Sequence, residues 1–142
     1  MLQSKLFLCS DSASIDSRTH TLSVFHIAEG SNAAAFPIAL PRITVIAILT
    51  REEDDPADVQ LQLTATLAGQ HLFAGPFPAN FAAGLLSRTV VEMQGLVIPG
   101  PGDLSFVLRN GEQPLATWII KVSQVGQPQL QLLLPQVPPN PA

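Results

Sequence analysis

The sequence predicts an all-β fold: a single antiparallel β-sandwich of about seven to nine short strands with little helix. Three observations carry this. Apolar residues recur with a period of two in several segments, which puts alternate side chains on opposite faces of a strand. Gly, Pro, Asn and Asp cluster between those segments at short intervals, as turns require. The chain has 142 residues, 46% of them hydrophobic, enough for one domain with its own core.

Taken in order, Lys5 to Ser10 is a short apolar strand. The Ser- and Asp-rich segment Ser10 to Ser17 reads as a turn, since these side chains bond nearby backbone groups. Thr19 to Ala28 carries Leu22, Val24, Phe25 and Ile27 and is a strand with both faces partly apolar. Glu29-Gly30-Ser31-Asn32 reads as a turn. Ile43 to Thr50 is β-branched and apolar on both faces, the mark of a strand covered on two sides. The acidic run Arg51 to Asp58, with Asp55-Pro56, is a solvated loop that also places gatekeeper charge beside that sticky strand.

Asp58 to Leu67 alternates most cleanly: Val59, Leu61, Leu63, Ala65 and Leu67 on one face, Gln60, Gln62, Thr64 and Thr66 on the other. Gly69-Gln70 is a tight turn into a short return strand, and Gly75-Pro76-Phe77-Pro78 reads as a further turn. Ala79 to Leu86 has room for a turn or two of helix, limited by Pro78 and Gly84. Arg88 to Ile98 is a strand with a break at Gly95, and Pro99-Gly100-Pro101-Gly102 turns the chain. Leu104 to Arg109 points Leu104, Phe106 and Leu108 inward. Asn110-Gly111 is a strong hairpin signal, because both positions tolerate positive φ. The return strand Leu115 to Val122 presents Ala116, Trp118, Ile120 and Val122 to the core. These strands fit an immunoglobulin-like or C2-like sandwich over residues 1–126.

Residues 127–134 are expected to form a C-terminal strand or docking segment, with Leu130, Leu132, Leu133 and Leu134 as its interaction residues. That strand either closes the sandwich of its own chain or adds to a sheet edge on a neighbour. Residues 135–142 are proline-rich and expected to be an extended, flexible tail.

Composition excludes several functions. Charged residues are 13% of the chain and the net charge is −4, against a usual charged share of about 25%. Too few clustered Lys and Arg are present to neutralise nucleic-acid phosphates. No apolar run approaches the roughly 20 residues a membrane span needs. Only Leu6-Phe7-Leu8 precede Cys9, well short of an export signal, so a cytoplasmic location is expected. With one cysteine, neither an intrachain disulfide nor a cysteine-rich zinc site can form.

No residue constellation points to catalysis. Ser10, Asp11 and His20 supply the residue types of a nucleophilic triad, but no Gly-x-Ser-x-Gly elbow occurs. His20 and His26 would stand roughly 20 Å apart on one regular strand, too far to share a metal. The acidic loop lacks the spacing and the glycine of a calcium loop. Cys9 has no basic neighbour in sequence and reads as a buried structural thiol. No catalytic, cofactor-binding or metal-binding residue is assigned, and no cofactor is expected.

Three groups of residues together carry a resemblance. Leu8-Cys9-Ser10-Asp11-Ser12-Ala13 is followed by Thr21-Leu22-Ser23-Val24-Phe25-His26-Ile27 and then Phe36-Pro37. Near the end, Pro101-Gly102-Asp103-Leu104-Ser105-Phe106 precedes Gly111, Pro114-Leu115 and Val122. Over roughly residues 5–123 this order resembles an uncharacterised bacterial family of small single-domain β-sandwich proteins. The resemblance departs at Ser10, which separates Cys9 from Asp11, and at Leu104, which has no tyrosine beside it. It implies a fold and a bacterial, cytosolic origin, and no activity.

The function expected from the residues is a non-enzymatic module that binds a protein partner or forms a homo-oligomer. Its strand faces use Gln and Thr rather than Lys and Glu, and weakly charged surface with leftover apolar area suits association. A small-molecule or carbohydrate-binding sandwich is the alternative, short of aromatic residues with one Trp and no Tyr. An uncharacterised hydrolase-like enzyme comes third.

Overall fold

The computed structural model describes residues 1–126. It contains nine strands and no helix among them: β1 (Gln3–Ile15), β2 (Leu22–Ile27), β3 (Gly30–Ala33), β4 (Ile38–Thr50), β5 (Asp58–Leu67), β6 (Gln70–Asn80), β7 (Leu86–Ile98), β8 (Gly102–Asn110) and β9 (Gln113–Gln124). One sheet has the order β2-β1-β4-β7, the other β3-β9-β8-β5-β6. All pairings are antiparallel except β3 with β9.

The order is that of an immunoglobulin-like sandwich. Strands β1, β4 and β7 take the A, B and E positions, and β9, β8, β5 and β6 take G, F, C and C′. Strands β2 and β3 are additions at one side. The D strand that a constant-type domain sets beside E has no counterpart among the described residues, because only Phe81 to Leu85 connect β6 to β7.

The core lies where the alternation placed it. Leu61, Leu63, Ala65 and Leu67 of β5, Leu104, Phe106 and Leu108 of β8, and Ile120 and Val122 of β9 are buried, with Val59, Ala116 and Trp118 packed against them. From the facing sheet come Phe7 and Cys9 of β1 and Ile43, Val45, Ala47 and Leu49 of β4. The indole Nε1 of Trp118 donates to the Ala28 carbonyl at 2.8 Å, so the ring's one polar atom is satisfied.

Five local expectations are corrected. Ser10 to Ile15 is strand, not turn: β1 leaves β4 after Ser10 and continues paired with β2, so the bend is confined to Asp16 to Thr21. There the Asp16 carboxylate accepts from the amides of Arg18 and Thr19, and these bonds hold its pKa below the usual value. Consequently Thr19 and His20 belong to the bend, and β2 begins only at Leu22. Gly30 to Ala33 is a strand laid parallel to β9 rather than a turn. The Gly75 to Pro78 segment lies inside an eleven-residue strand. An edge strand tolerates proline where its missing N–H would have faced away from its neighbour, and β6 pairs on one side only. Finally, Phe81 to Leu85 is a turn closed by Gly84 N–H donating to Phe81 O at 2.8 Å, with no helical hydrogen bonding.

The predicted break at Gly95 is real and has a partner. The register runs Arg42 with Gln94 and Leu40 with Leu96, which sets Gly95, at φ 71°, opposite Pro41. A glycine takes that conformation without Cβ strain. Pro41 is tolerated because β1 has already left that side of β4. The released Asp11 carbonyl accepts instead from Arg42 Nε and Thr44 Oγ1, each at 3.1 Å.

Among the described residues, one buried hydroxyl has no hydrogen-bond partner: Ser87 Oγ, on β7 opposite Leu49. Burying a hydroxyl without a bond is costly. Ser87→Ala is therefore expected to raise stability by about 0.5–1 kcal/mol, read as an increased urea midpoint. A lower midpoint would mean that the hydroxyl bonds a water.

Candidate functional site

Four strands end the two sheets: β2, β7, β3 and β6. A strand with one free side shows unpaired N–H and C=O groups, which invite another strand unless something blocks them. Strand β3 is only four residues long and β2 six. Strand β6 carries Pro76 and Pro78, which remove donors from its outer side. Strand β7 runs for thirteen residues without proline or lysine. It is the longest edge strand among the described residues and the one long edge there without proline, with Arg88, Glu92 and the irregularity at Gly95 as its only interruptions.

The two edges β6 and β7 meet at one end and diverge at the other. They meet where Thr89 Oγ1 donates to the Pro78 carbonyl at 2.9 Å. Where they part lies a groove of about 480 Å³. Leu72 and Phe73 of β6 line one wall, and Val91, Met93, Leu96 and Val97 of β7 line the other together with the polar Glu92 and Gln94, whose side chains bond each other at 3.0 Å. Val97 is 54% exposed, high for an aliphatic side chain. The groove thus joins open backbone to apolar walls, the two parts of a strand-addition site.

Sequence reasoning alone does not single out these residues. A usable signal is present in the contrast between Pro76 and Pro78 in one strand and the absence of proline and lysine from Leu86 to Ile98. That contrast acquires meaning only once the topology makes both strands edges.

A second hollow, of about 290 Å³, forms where β1 leaves β4. Leu40, Ile43 and Ile120 line it, with Asp11, His26 and Arg42 among its polar groups. His26 Nδ1 stands 3.5 Å from Asp11 Oδ2. His26 sits at φ 56°, a conformation rare for side chains with a Cβ, and its ring is exposed. Two serines, Ser10 and Ser31, also line it. Ser10 Oγ donates to the Ser12 carbonyl at 3.1 Å. His20 sits away from Ser10 and Asp11, at the hairpin bend, where its carbonyl accepts from Arg88. The residue types of a triad are present and the geometry does not unite them.

In the acidic loop, Glu52, Asp54 and Asp55 bring carboxylate oxygens within 4.8 Å of one another. Positive charge is already there. The Met1 ammonium lies 2.9 Å from Glu52 and 2.7 Å from Asp55, and Arg51 donates to the backbone carbonyls of Glu52, Asp55 and Gly84. The ammonium holds the Asp55 pKa below its usual value, and Asp55 followed by Glu52 raises that of the ammonium. The depressed carboxylate contributes above its unfolded pKa and the raised amine below its own, so this tether is complete between those two values.

Cys9 is fully buried, and burial raises its thiol pKa to about 12. The thiolate needed for reaction is accordingly scarce at neutral pH. A disulfide reagent at pH 8 is expected to leave native Cys9 unmodified and to titrate one thiol after unfolding in denaturant. Rapid labelling of the native chain would contradict the buried assignment.

Leu130, Leu132, Leu133 and Leu134, the interaction residues expected from the sequence, lie outside the described residues. No helix among the described residues is long and apolar enough to cross a membrane.

Comparison with known proteins adds the following. A family model described as a family of unknown function, DUF6941, matches residues 5–123. A search of curated proteins finds no match. Among solved structures, an immunoglobulin-like protein from Pseudomonas aeruginosa is similar at 13% identity, covering 86% of this chain and 96% of that one, with a TM-score of 0.46.

Proposed function

The chain belongs to that family of unknown function, and from this premise we propose that it is a non-enzymatic, self-assembling β-sandwich whose docking surface is the open edge of β7. The observation that carries the reading is the open, proline-free edge of β7 beside a largely apolar groove. Main-chain hydrogen bonds along such an edge supply affinity, and pockets for alternate side chains supply selectivity.

Light scattering across a range of concentrations tests it. The wild-type chain is expected to show a mass above that of the 15.1 kDa monomer. Val97→Glu, at an exposed groove position, is expected to reduce it to the monomer without loss of thermal stability. A wild-type monomer at every concentration overturns the proposal, as does a Val97→Glu assembly of unchanged mass.

A further inference from the structure

We infer that the strand received by β7 is the segment Gln129 to Leu134 of a second copy of this chain. This rests on the reading of the β7 edge as a docking surface and names its occupant. Three observations lead to it.

The first is pattern. In Gln129-Leu130-Gln131-Leu132-Leu133-Leu134, the residues Leu130, Leu132 and Leu134 alternate with Gln129, Gln131 and Leu133. An extended segment therefore turns three leucines to one face, and two glutamines and Leu133 to the other. That suits a groove with apolar walls on one side and solvent on the other. No charge interrupts the segment, so none has to be desolvated.

The second is length. The open part of β7, from Val91 to Val97, is the part that lines the groove. A six-residue strand spans about 20 Å, close to what those seven positions offer. Pro128 and Pro135 bracket the segment, and neither could continue within a ladder. The cut ends of the candidate strand thus match the limits of the edge that would receive it.

The third is reach, and it selects the second copy over the chain's own tail. Strand β9 ends at Gln124, and Val125 N–H still bonds Ala33 O beside β3. From β9 the sheet order runs through β8 and β5 to β6. Three strand spacings and one more to enter the groove come to about 19 Å. The four residue steps from Gly126 to Leu130 span at most about 14 Å when fully extended. The chain would also have to reverse direction to run antiparallel to β7. By this reach a chain's own Leu130 would fall about one strand short, whereas a neighbour's segment would enter from solvent in full register.

The arrangement is open to exchange, because each copy would carry both one donor segment and one receiving edge. Reciprocal donation closes a pair, and one-way donation builds a longer chain.

The test uses full-length variants and one synthetic peptide covering residues 127–136. Leu132→Asp places a charge on the donor face and leaves β7 intact. It is expected to weaken association by roughly 100-fold or more, converting the assembly to a monomer. Added to that monomer, the peptide is expected to shift the backbone amide signals of Val91 to Val97 and to slow their hydrogen exchange. The same peptide added to Val97→Glu is expected to do neither.

Each contrary outcome is distinct. If Leu132→Asp remains assembled while Val97→Glu is monomeric, the β7 surface stands and its assigned occupant falls. If the peptide shifts signals elsewhere, the occupant falls as well. A monomeric wild-type chain whose Val91 to Val97 amides are protected, and become exposed in Leu132→Asp, means the chain's own tail fills the groove, and the inference is overturned. A monomeric wild-type chain with those amides freely exchanging removes the docking surface and its occupant together.

Discussion

Phe106→Ala is expected to destabilise the sandwich by about 3–5 kcal/mol. Phe106 is fully buried on β8, the central strand of the five-stranded sheet. Its register neighbours on the inner face are Ala65 of β5 and Trp118 of β9. Ala65 is too small to fill the space left by a missing ring. Trp118 is held by its hydrogen bond to Ala28 O and cannot swing in without breaking it. The cavity should therefore persist, and its cost adds to the lost transfer energy. Domains have a total stability of only about 5–15 kcal/mol, so a measurable unfolded fraction at 25 °C is expected. Urea denaturation followed by Trp118 fluorescence reads the change directly. Phe25→Ala is the control: Phe25 is 47% exposed on β2, and its loss should cost about 0.5 kcal/mol or less. Near-equal costs for the two phenylalanines would mean that the core has been placed on the wrong face of β8.

The inward set of that core is legible in residue order alone. Strands β5, β8 and β9 each bury one face and wet the other, so their alternation states which side chains turn inward. Ser, Asp, Gly and Pro mislead where local chemistry and tertiary context disagree. Ser10 to Ile15 has turn composition, yet all of it but Asp11 pairs in register with β2, and a ladder outweighs the local side-chain bonds that favour a bend. Pro76 and Pro78 look like breakers until β6 proves to be an edge. Strand β3, Gly30–Ala33, has no local signal at all, since its four residues are held only by a parallel pairing with β9 some ninety residues later. The candidate interface shares this property. An edge is open because of what is absent beside it in space, and no short segment records that. The leucine alternation of the candidate donor is visible in the sequence because alternation is local.

Strand β4 shows how far such a local reading can go, and it carries the second large prediction. Its apolar run predicts cover on both faces. Ile43, Val45, Ala47 and Leu49 point into the sandwich, so by parity Ile46 points away from it. Ile46 is nonetheless fully buried, and its neighbour Leu8 on β1 is 7% exposed. Neither belongs to the main core cluster. Something else covers them, and the long β1–β2 hairpin is the element in position. Beyond Ser10 it leaves the plane of β4, and its bend comes back to β7, where Arg88 donates to the carbonyl of His20. Arg88 pairs with Ile48 on the same outer face as Ile46, so the hairpin closes over that face. Leu22 and Val24, half-buried on β2, sit opposite Ile15 and Ala13 and form its apolar underside.

Ile46→Asp then puts a carboxylate beneath the hairpin among apolar side chains. The expected cost is about 4 kcal/mol or more. The chain has a cheaper response than global unfolding, which is to lift the hairpin and hydrate the charge. Amide exchange should therefore accelerate first in Ser12 to Ile27, while β5, β8 and β9 stay protected. Ile46→Ala separates the two contributions, since it removes packing without adding charge and should cost about 2–4 kcal/mol. Val90→Asp is the reference, because Val90 pairs with Ile46 on the same face but is 39% exposed. If Ile46→Asp costs no more than Val90→Asp, or if exchange quickens everywhere at once, the hairpin is not the cover. The burial of β4 on its second side would then need another source.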